Sequence, residues 1–351
     1  MAFAFYSPYT INSGQVPSAQ SDFPVLVSVT DARFKTTGNG GHVENSSGFD
    51  IRPYSDSALT TAITGYELER YNASTGEVVM WVKRSSVSDG LVTYLAYGDA
   101  ALNTDGSSTT TWSNNFMSVQ HLKDGSTLSV ANSTGLGTNA TNNGATATTG
   151  KINGGASFVS ASSQYIYNEA MHPTAITLSS WVNATSFPNS YNSTIARVNT
   201  NNYSALYVRS TGKLACYTFP SGDVSYDGTG SHTLSAGTTY YLVMTYDSSA
   251  GLVGYVNAAS DGTAAANGTL QTAAALTYVG ADPLTGGRFW NGMIDEARVA
   301  SVARSTDWIT TEYNNQSAPG TFATLGTESG VGAKNRRTLG PRIGSRQYYA
   351  N

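Results

Sequence analysis

Short runs that alternate apolar and polar side chains recur along the whole chain, and turn residues separate them. In "TYYLVMTYD" (239–247), Leu242, Met244 and Tyr246 fall on one face. In "AITLSSWVNA" (175–184), Leu178, Ser180 and Val182 share a face and Trp181 takes the other. A period of two puts neighbouring side chains on opposite sides of an extended backbone, so each run is a strand with one face to bury. The same signal marks residues 22–31, 78–85, 91–99, 204–219 and 252–259, with "RSTGKL" (209–214) as a hairpin turn. Many short strands with turns between them predict antiparallel sandwiches. The composition agrees. Gly numbers 36 and Tyr 22, and only 12% of residues are charged, well below the usual quarter.

One segment reads as a helix. Ser305 can cap it, Asp307 suits its first turn, and Trp308/Glu312 and Ile309/Tyr313 are spaced i,i+4. Pro319 ends any continuation. A chain of 351 residues is long enough for two cores. The single cysteine, Cys216, excludes an intrachain disulfide, and its place in "KLACYTF" makes it a small core residue. No apolar run approaches 18 residues, so no helix spans a membrane. The opening "MAFAFYSPYTINSGQ" has no basic region followed by an apolar stretch, so the expectation is synthesis without secretory export.

Charge is unevenly placed. Lys334, Arg336, Arg337, Arg342 and Arg346 cluster near the end with no acid among them. Setting those five aside leaves 23 acidic residues facing 14 basic ones. An acidic body argues against nucleic-acid binding. The basic segment is either a solvated tail or a partner-docking peptide.

Two stretches resemble known families. "DFPVLV", "FDIR", "YELERY", "WVKR" and "YGDA", over roughly 8–100, resemble a small β-domain of unknown function that precedes laminin-G-like domains. "VQHLKDG", "GKINGGASF", "ITLSSWVNA", "YYLVMTYD" and "FWNGMIDEARVASVARSTDWITTEYNNQSAPGTF", over roughly 113–327, resemble the concanavalin A-like, laminin-G/pentraxin-type jelly roll. The expected organisation is therefore all-β. Residues 1–112 form an N-terminal antiparallel β-sandwich, 113–327 a concanavalin A-like jelly roll with one short C-terminal helix, and 328–351 a basic tail. The glycine-rich stretch 131–155 becomes a surface excursion inside the second domain. The resemblance implies binding or structural roles more often than catalysis, and a setting in phage particles or on bacterial surfaces.

Asp295-Glu296 raises the question of catalysis. A retaining glycosidase needs two carboxyls about 5–5.5 Å apart in an open cleft. Strand alternation predicts that Asp295 and Glu296 point to opposite faces, Asp295 toward the core with Ala297 and Val299. The expected role is a structural clasp of Asp295, Arg298 and Arg304, with backbone amides or Arg304 satisfying the buried carboxylate. His42, His121, His172 and His232 are scattered without metal-ligand spacing and read as structural or surface groups. "GATATTGKI" (144–152) lacks the spacing and hydroxyl of a phosphate loop, and no Gly-x-Ser-x-Gly occurs.

No cofactor is expected except possible calcium, for which Asp223, Asp227 and Asp247 lie in turn-like segments. Tyr191, Asn192, Asn202, Tyr203 and Tyr226 are the candidate glycan-binding residues, placed in loops. The expected function is a non-enzymatic phage virion protein (capsid decoration, fibre or tail-associated) whose lectin-like domain adheres to glycans. Its expected partners are other virion proteins or further copies of itself. A free carbohydrate-binding protein is the alternative, and a polysaccharide-cleaving enzyme the remoter one.

Overall fold

The first six strands build the N-terminal domain. They are β1 (Phe5–Ile11), β2 (Gln20–Thr30), β3 (Arg52–Tyr54), β4 (Tyr66–Asn72), β5 (Glu77–Val87) and β6 (Val92–Tyr97). One sheet carries β1, β6 and β3, and the other has the order β2-β5-β4, all antiparallel. The "PVLV" of β2 and "VVMWV" of β5 are buried on both faces. One face meets the sandwich core and the other meets the second domain, which is why these runs are continuously apolar.

The computed structural model describes residues 3–332, apart from 124–126, 172, 200–201, 221, 272–274 and 284–285. The second domain starts at β7 (Phe116–Gln120) and continues through β8 (Thr141–Asn143), β9 (Thr146–Thr149), β10 (Gly154–Phe158) and β11 (Tyr165–Met171). Then come β12 (Ile176–Ala184), β13 (Tyr191–Asn199), β14 (Asn202–Arg209), β15 (Leu214–Thr218) and β16 (Val224–Asp227). The last are β17 (Thr239–Asp247), β18 (Gly251–Val256), β19 (Ala259–Ala264), β20 (Ala275–Val279) and β21 (Gly292–Ala300). An eight-stranded sheet has the order β19-β18-β17-β12-β21-β10-β9, with β7 also on β21. A seven-stranded sheet has the order β16-β15-β14-β13-β20-β11-β8. Leu178, Val182, Leu242, Met244 and Cys216 lie in the core between them.

Helix α1 (Thr306–Ser317) is capped by Ser305, whose side chain accepts from the Trp308 amide. It covers the outer face of the eight-stranded sheet, where Ile309 packs with Trp181, Tyr241 and Val243. Its other side meets β2. Asn315 accepts from the Leu26 amide (2.7 Å) and donates to the Leu26 carbonyl (3.0 Å). Asparagine copies a strand's donor–acceptor pair here, so the sheet edge is paired without another strand.

Three expectations need adjustment. The 131–155 excursion is inside the second domain, but it supplies β8 and β9, which extend one sheet each. Pro319 stops α1 and starts a short helix, α2 (Pro319–Phe322), where its missing N–H costs nothing. The chain after α2 then returns to the first domain. β22 (Ala323–Leu325) and β23 (Ser329–Gly330) pair with β1. The boundaries at 327 and 328 therefore cut through a segment that completes the N-terminal sheet. Strands this short carry no periodicity to read.

Candidate functional site

β21 holds the Asp-Glu pair. Trp181 of β12 stands opposite Asp295, and Ser179 opposite Arg298, so Glu296 and Ala297 together face the single Ser180. This is a β-bulge, and Glu296 has a φ of 51°. The extra residue resets the alternation. Ile294, Ala297 and Val299 enter the inter-sheet core. Asp295, opposite the outward Trp181, joins Glu296 and Arg298 on the outer face, toward α1 and the first domain. The expectation of opposite faces is overturned, and nothing in the residue pattern announces a bulge at a glutamate.

Neither carboxylate lines a cleft. Asp295 is 0% and Glu296 1% exposed. Asp295 Oδ2 accepts from the amides of Lys151 (2.7 Å) and Ile152 (2.8 Å), not from Arg304, and Oδ1 has no partner. The "TTGKI" segment thus wraps this acid. A Cβ on Gly150 would lie 1.9 Å from the Gly154 carbonyl oxygen and 2.6 Å from Asp295 Oδ2, so only glycine fits. Burial above all, and then the neighbouring Glu296, hold Asp295 well above the usual carboxylate range. Arg304 instead lies over Trp308 (3.9 Å) and Phe116 (4.8 Å) and donates to the Asn114 carbonyl.

Glu296 belongs to a buried ion network that joins the domains. His121, just after β7, places Nδ1 2.7 Å from Glu296 Oε1 and Nε2 3.3 Å from Glu67 Oε2 of β4. Ionised carboxylates only accept, so both ring nitrogens donate and the ring is cationic. Arg298 donates from Nε (3.1 Å) and Nη2 (2.6 Å) to Glu296 Oε2, and from Nη1 (2.6 Å) to Glu312 Oε1 of α1. Its guanidinium lies over Trp81 (4.4 Å) and Trp112 (4.9 Å). The indoles donate to Glu69 (2.8 Å) and Glu67 (2.7 Å). Arg298 of the expected clasp thus links strand to helix through Glu312, whereas Asp295 bonds neither Arg298 nor Arg304 among the described residues.

The titration of these groups follows from their partners. Burial opposes charge on His121, yet Glu296, Glu67 and Glu69 raise it well above its ordinary value. Burial would raise Glu67, but His121 brings it down to about 2. Glu69 is pushed up to about 7, by burial above all and by Glu296, against the pull of His121. Among the described residues, Glu69, His121 and Glu296 form the one group with metal-capable spacing. Their lone pairs and protons already meet one another, Trp81 and Arg298, so the group is a hydrogen-bonded ion network.

The outer face of the seven-stranded sheet has a different character. Ala196, Ala205 and Ala215 pave it, and tyrosines stand around them. Tyr191, Tyr207 and Tyr217 meet edge to face at 5.6–5.8 Å. Tyr191 lies under Arg209 (4.5 Å) and Arg288 (4.6 Å). Its hydroxyl donates to Asp227 (2.8 Å) and is 2.9 Å from the Tyr217 hydroxyl. Arg209 donates to Asp227 (2.6 Å). Tyr203 stacks on Phe219 (6.2 Å) and donates to Asp223 (3.1 Å). Tyr165, Tyr167 and Tyr278 form a second aromatic group on the same face.

The five expected glycan residues divide. Tyr191 and Tyr203 lie on this face, half-buried, on strands rather than loops. Asn192 is fully buried and points inward, donating to the carbonyls of Asn189 (2.9 Å) and Val208 (3.0 Å). Tyr226 is a β16 residue in the inner core, its hydroxyl on Asp261 (2.6 Å). Both are corrections: their parity in strands, hidden when the segments are read as loops, turns them inward. The Asn202 side chain lies outside the described residues, as do Lys334, Arg336, Arg337, Arg342 and Arg346. Tyr207 and Tyr217 were missed, although alternation within "SALYVRSTGKLACYTF" places them with Tyr203. The calcium candidates are each engaged separately. Asp223 meets Tyr203, Asp227 meets Arg209, and Asp247 accepts from the amides of Ser249 and Ala250.

Residues 153–310 match the model of the concanavalin A-like lectin/glucanases superfamily. The second domain is a concanavalin A-like jelly roll. Among solved structures, this chain is similar to domain 4 of AbnA, an extracellular GH43 arabinanase from Geobacillus stearothermophilus, in complex with arabinotriose. Identity is 18%, coverage 56% of this chain and 97% of that one, and the TM-score 0.47. It is also similar to the binding domain of Paraclostridial Mosquitocidal Protein 1, at 10% identity, 57% and 52% coverage and a TM-score of 0.46. The heptameric SAP-like pentraxin of Limulus polyphemus matches at 16% identity, 42% and 73% coverage and a TM-score of 0.33. No curated protein matches the chain.

Proposed function

We propose that this protein is a non-enzymatic adhesion component, with the setting of a phage particle, whose concanavalin A-like domain holds glycans on its tyrosine-rich outer face. The observation that carries this reading is the arrangement of Tyr191, Tyr203 and Tyr217 with Arg209, Asp223 and Asp227 on one sheet face. A sugar ring presents an apolar C–H face and a rim of hydroxyls. Aromatic rings suit the first, and fixed charged donors and acceptors suit the second. The tyrosine hydroxyls hold one another and the carboxylates, so the rings are ordered before a ligand arrives.

The buried state of Asp295 and Glu296 supports the non-enzymatic reading, because substrate has no route to them. On the tyrosine face, Asp227 is bound to Arg209 and Asp282 to Tyr207 (2.5 Å), so among the described residues these carboxyls do not form a pair flanking an open cleft. Incubating the purified protein with polysaccharides tests this directly. Retention without cleavage is expected. Hydrolysis that Asp227→Asn or Asp282→Asn abolishes would make the protein a glycosidase.

The phage setting rests on the family resemblance, and the basic cluster at 334–346 is the proposed docking peptide. Light scattering of the full chain and of one lacking 333–351, alone and with particles, tests it. Tail-dependent assembly supports a virion component. A monomer that ignores particles favours a free glycan-binding protein.

A further inference from the structure

The N-terminal domain has a cleft of about 200 Å³ between β3, residues 62–64 and the start of β4. Pro53, Tyr54 and Ile63 give it apolar walls, and Arg52, Tyr66 and Gly106 complete it. Two side chains here have hydrogen-bond donors to spare. Tyr66 is 4% exposed, and its hydroxyl has no partner. Arg52 donates from Nη2 to the Thr104 carbonyl (2.8 Å) and forms no ion pair among the described residues. Its guanidinium lies 5.5 Å from the Tyr66 ring centre. The two donors converge. A Cβ on Gly106 would sit 2.1 Å from both Arg52 Nη1 and Tyr66 Oη.

A buried hydroxyl without a partner is costly, and a half-buried guanidinium with one acceptor keeps further N–H groups to offer beside it. One oxyanion placed between them satisfies both. The surrounding acids limit its charge. Asp50 uses its carboxylate on the amides of Glu44, Asn45 and Gly98, and Asp105 caps Ser107. Both act electrostatically on Arg52, so the site tolerates one added negative charge better than two. The apolar walls ask for a carbon body behind that charge.

We propose that this cleft binds a carboxylate carried on a small ring or short apolar body, with Arg52 and Tyr66 as its two donors. The site is independent of the glycan face, which lies on the other domain.

Calorimetric titration of the full chain with benzoate, glucuronate, acetate and inorganic phosphate tests it. Benzoate or glucuronate should bind saturably and more tightly than acetate or phosphate. Arg52→Gln and Gly106→Ala should each weaken that binding by about tenfold or more, the first by removing the charge and the second by filling the meeting point. Tyr66→Phe should weaken binding while leaving the melting temperature of the free protein unchanged or raised, because its hydroxyl bonds nothing there. A marked loss of stability in Tyr66→Phe would show a hidden partner and overturn the proposal. So would the absence of carboxylate binding, Arg52→Gln and Tyr66→Phe chains that bind as tightly as the unaltered chain, or a preference for phosphate.

Discussion

His121 Nε2 lies 3.3 Å from Glu67 Oε2, and this contact crosses from the jelly roll to the N-terminal domain. The same ring reaches Glu296 through Nδ1 at 2.7 Å. One buried imidazolium therefore spans the junction, and the stability of the two-domain body should depend on its protonation.

The sign follows group by group. His121 is raised, so its contribution is complete below about pH 6.5 and fades as pH rises through its folded value. Glu69 is raised from 4.5 to about 7, so stability also falls across that interval. Glu67 is lowered to about 2, so its contribution is lost as pH drops from 4.5 toward 2. Urea unfolding should show maximal stability near pH 5, with a decline toward pH 8 of order 1 kcal/mol per unit for each group titrating. A curve that is flat or rising between pH 6 and 8 would contradict this, and Glu69→Gln should flatten its 4.5–7 portion.

Arg298 neutralises Glu296 and Glu312 at once. Arg298→Ala strands both carboxylates in a dry interior and should cost about 3–5 kcal/mol. Chemical denaturation measures it. A loss below about 1 kcal/mol would mean that solvent reaches the network.

Asp295→Ala removes the acceptor for the amides of Lys151 and Ile152 and should destabilise the fold by roughly 1–3 kcal/mol. Asp295→Asn keeps an acceptor oxygen for those two amides and should cost less. Equal losses for the two would argue that the charge, not the oxygen, matters.

The closing segment gives a clean contrast. Removing 333–351 should leave the melting temperature unchanged, because β22 and β23 stay on β1. Extending the deletion to 323–351 exposes the β1 edge and removes Ala323 from the core, and it should lower the melting temperature by several degrees or more. Equal melting curves would show that the return segment adds nothing.

Legibility in the sequence follows physical range. Strands such as β12 and β17 repeat every two residues, and α1 carries its own cap in Ser305, so local pattern suffices. The bulge at Glu296 is set by pairing with β12 and the partners waiting outside, which no local pattern contains. The inversion of Asn192 and Tyr226 has the same origin: a residue one step along a strand changes face, so a loop reading loses all information on direction. The ion network escaped because His121, Glu67 and Glu296 are far apart in the chain and meet only across the domain junction.

The central claim is that the tyrosine face binds glycans. The most direct measurement is affinity for the best ligand on a glycan array, for the intact chain and for Tyr217→Ala. Tyr217 is half-buried on the outer sheet face and its hydroxyl meets Tyr191 and Asp227, so its removal spares the inter-sheet core. The account predicts saturable binding that Tyr217→Ala weakens by about tenfold or more at an unchanged melting temperature. Binding that Tyr217→Ala leaves intact, or no glycan binding at all, would contradict it.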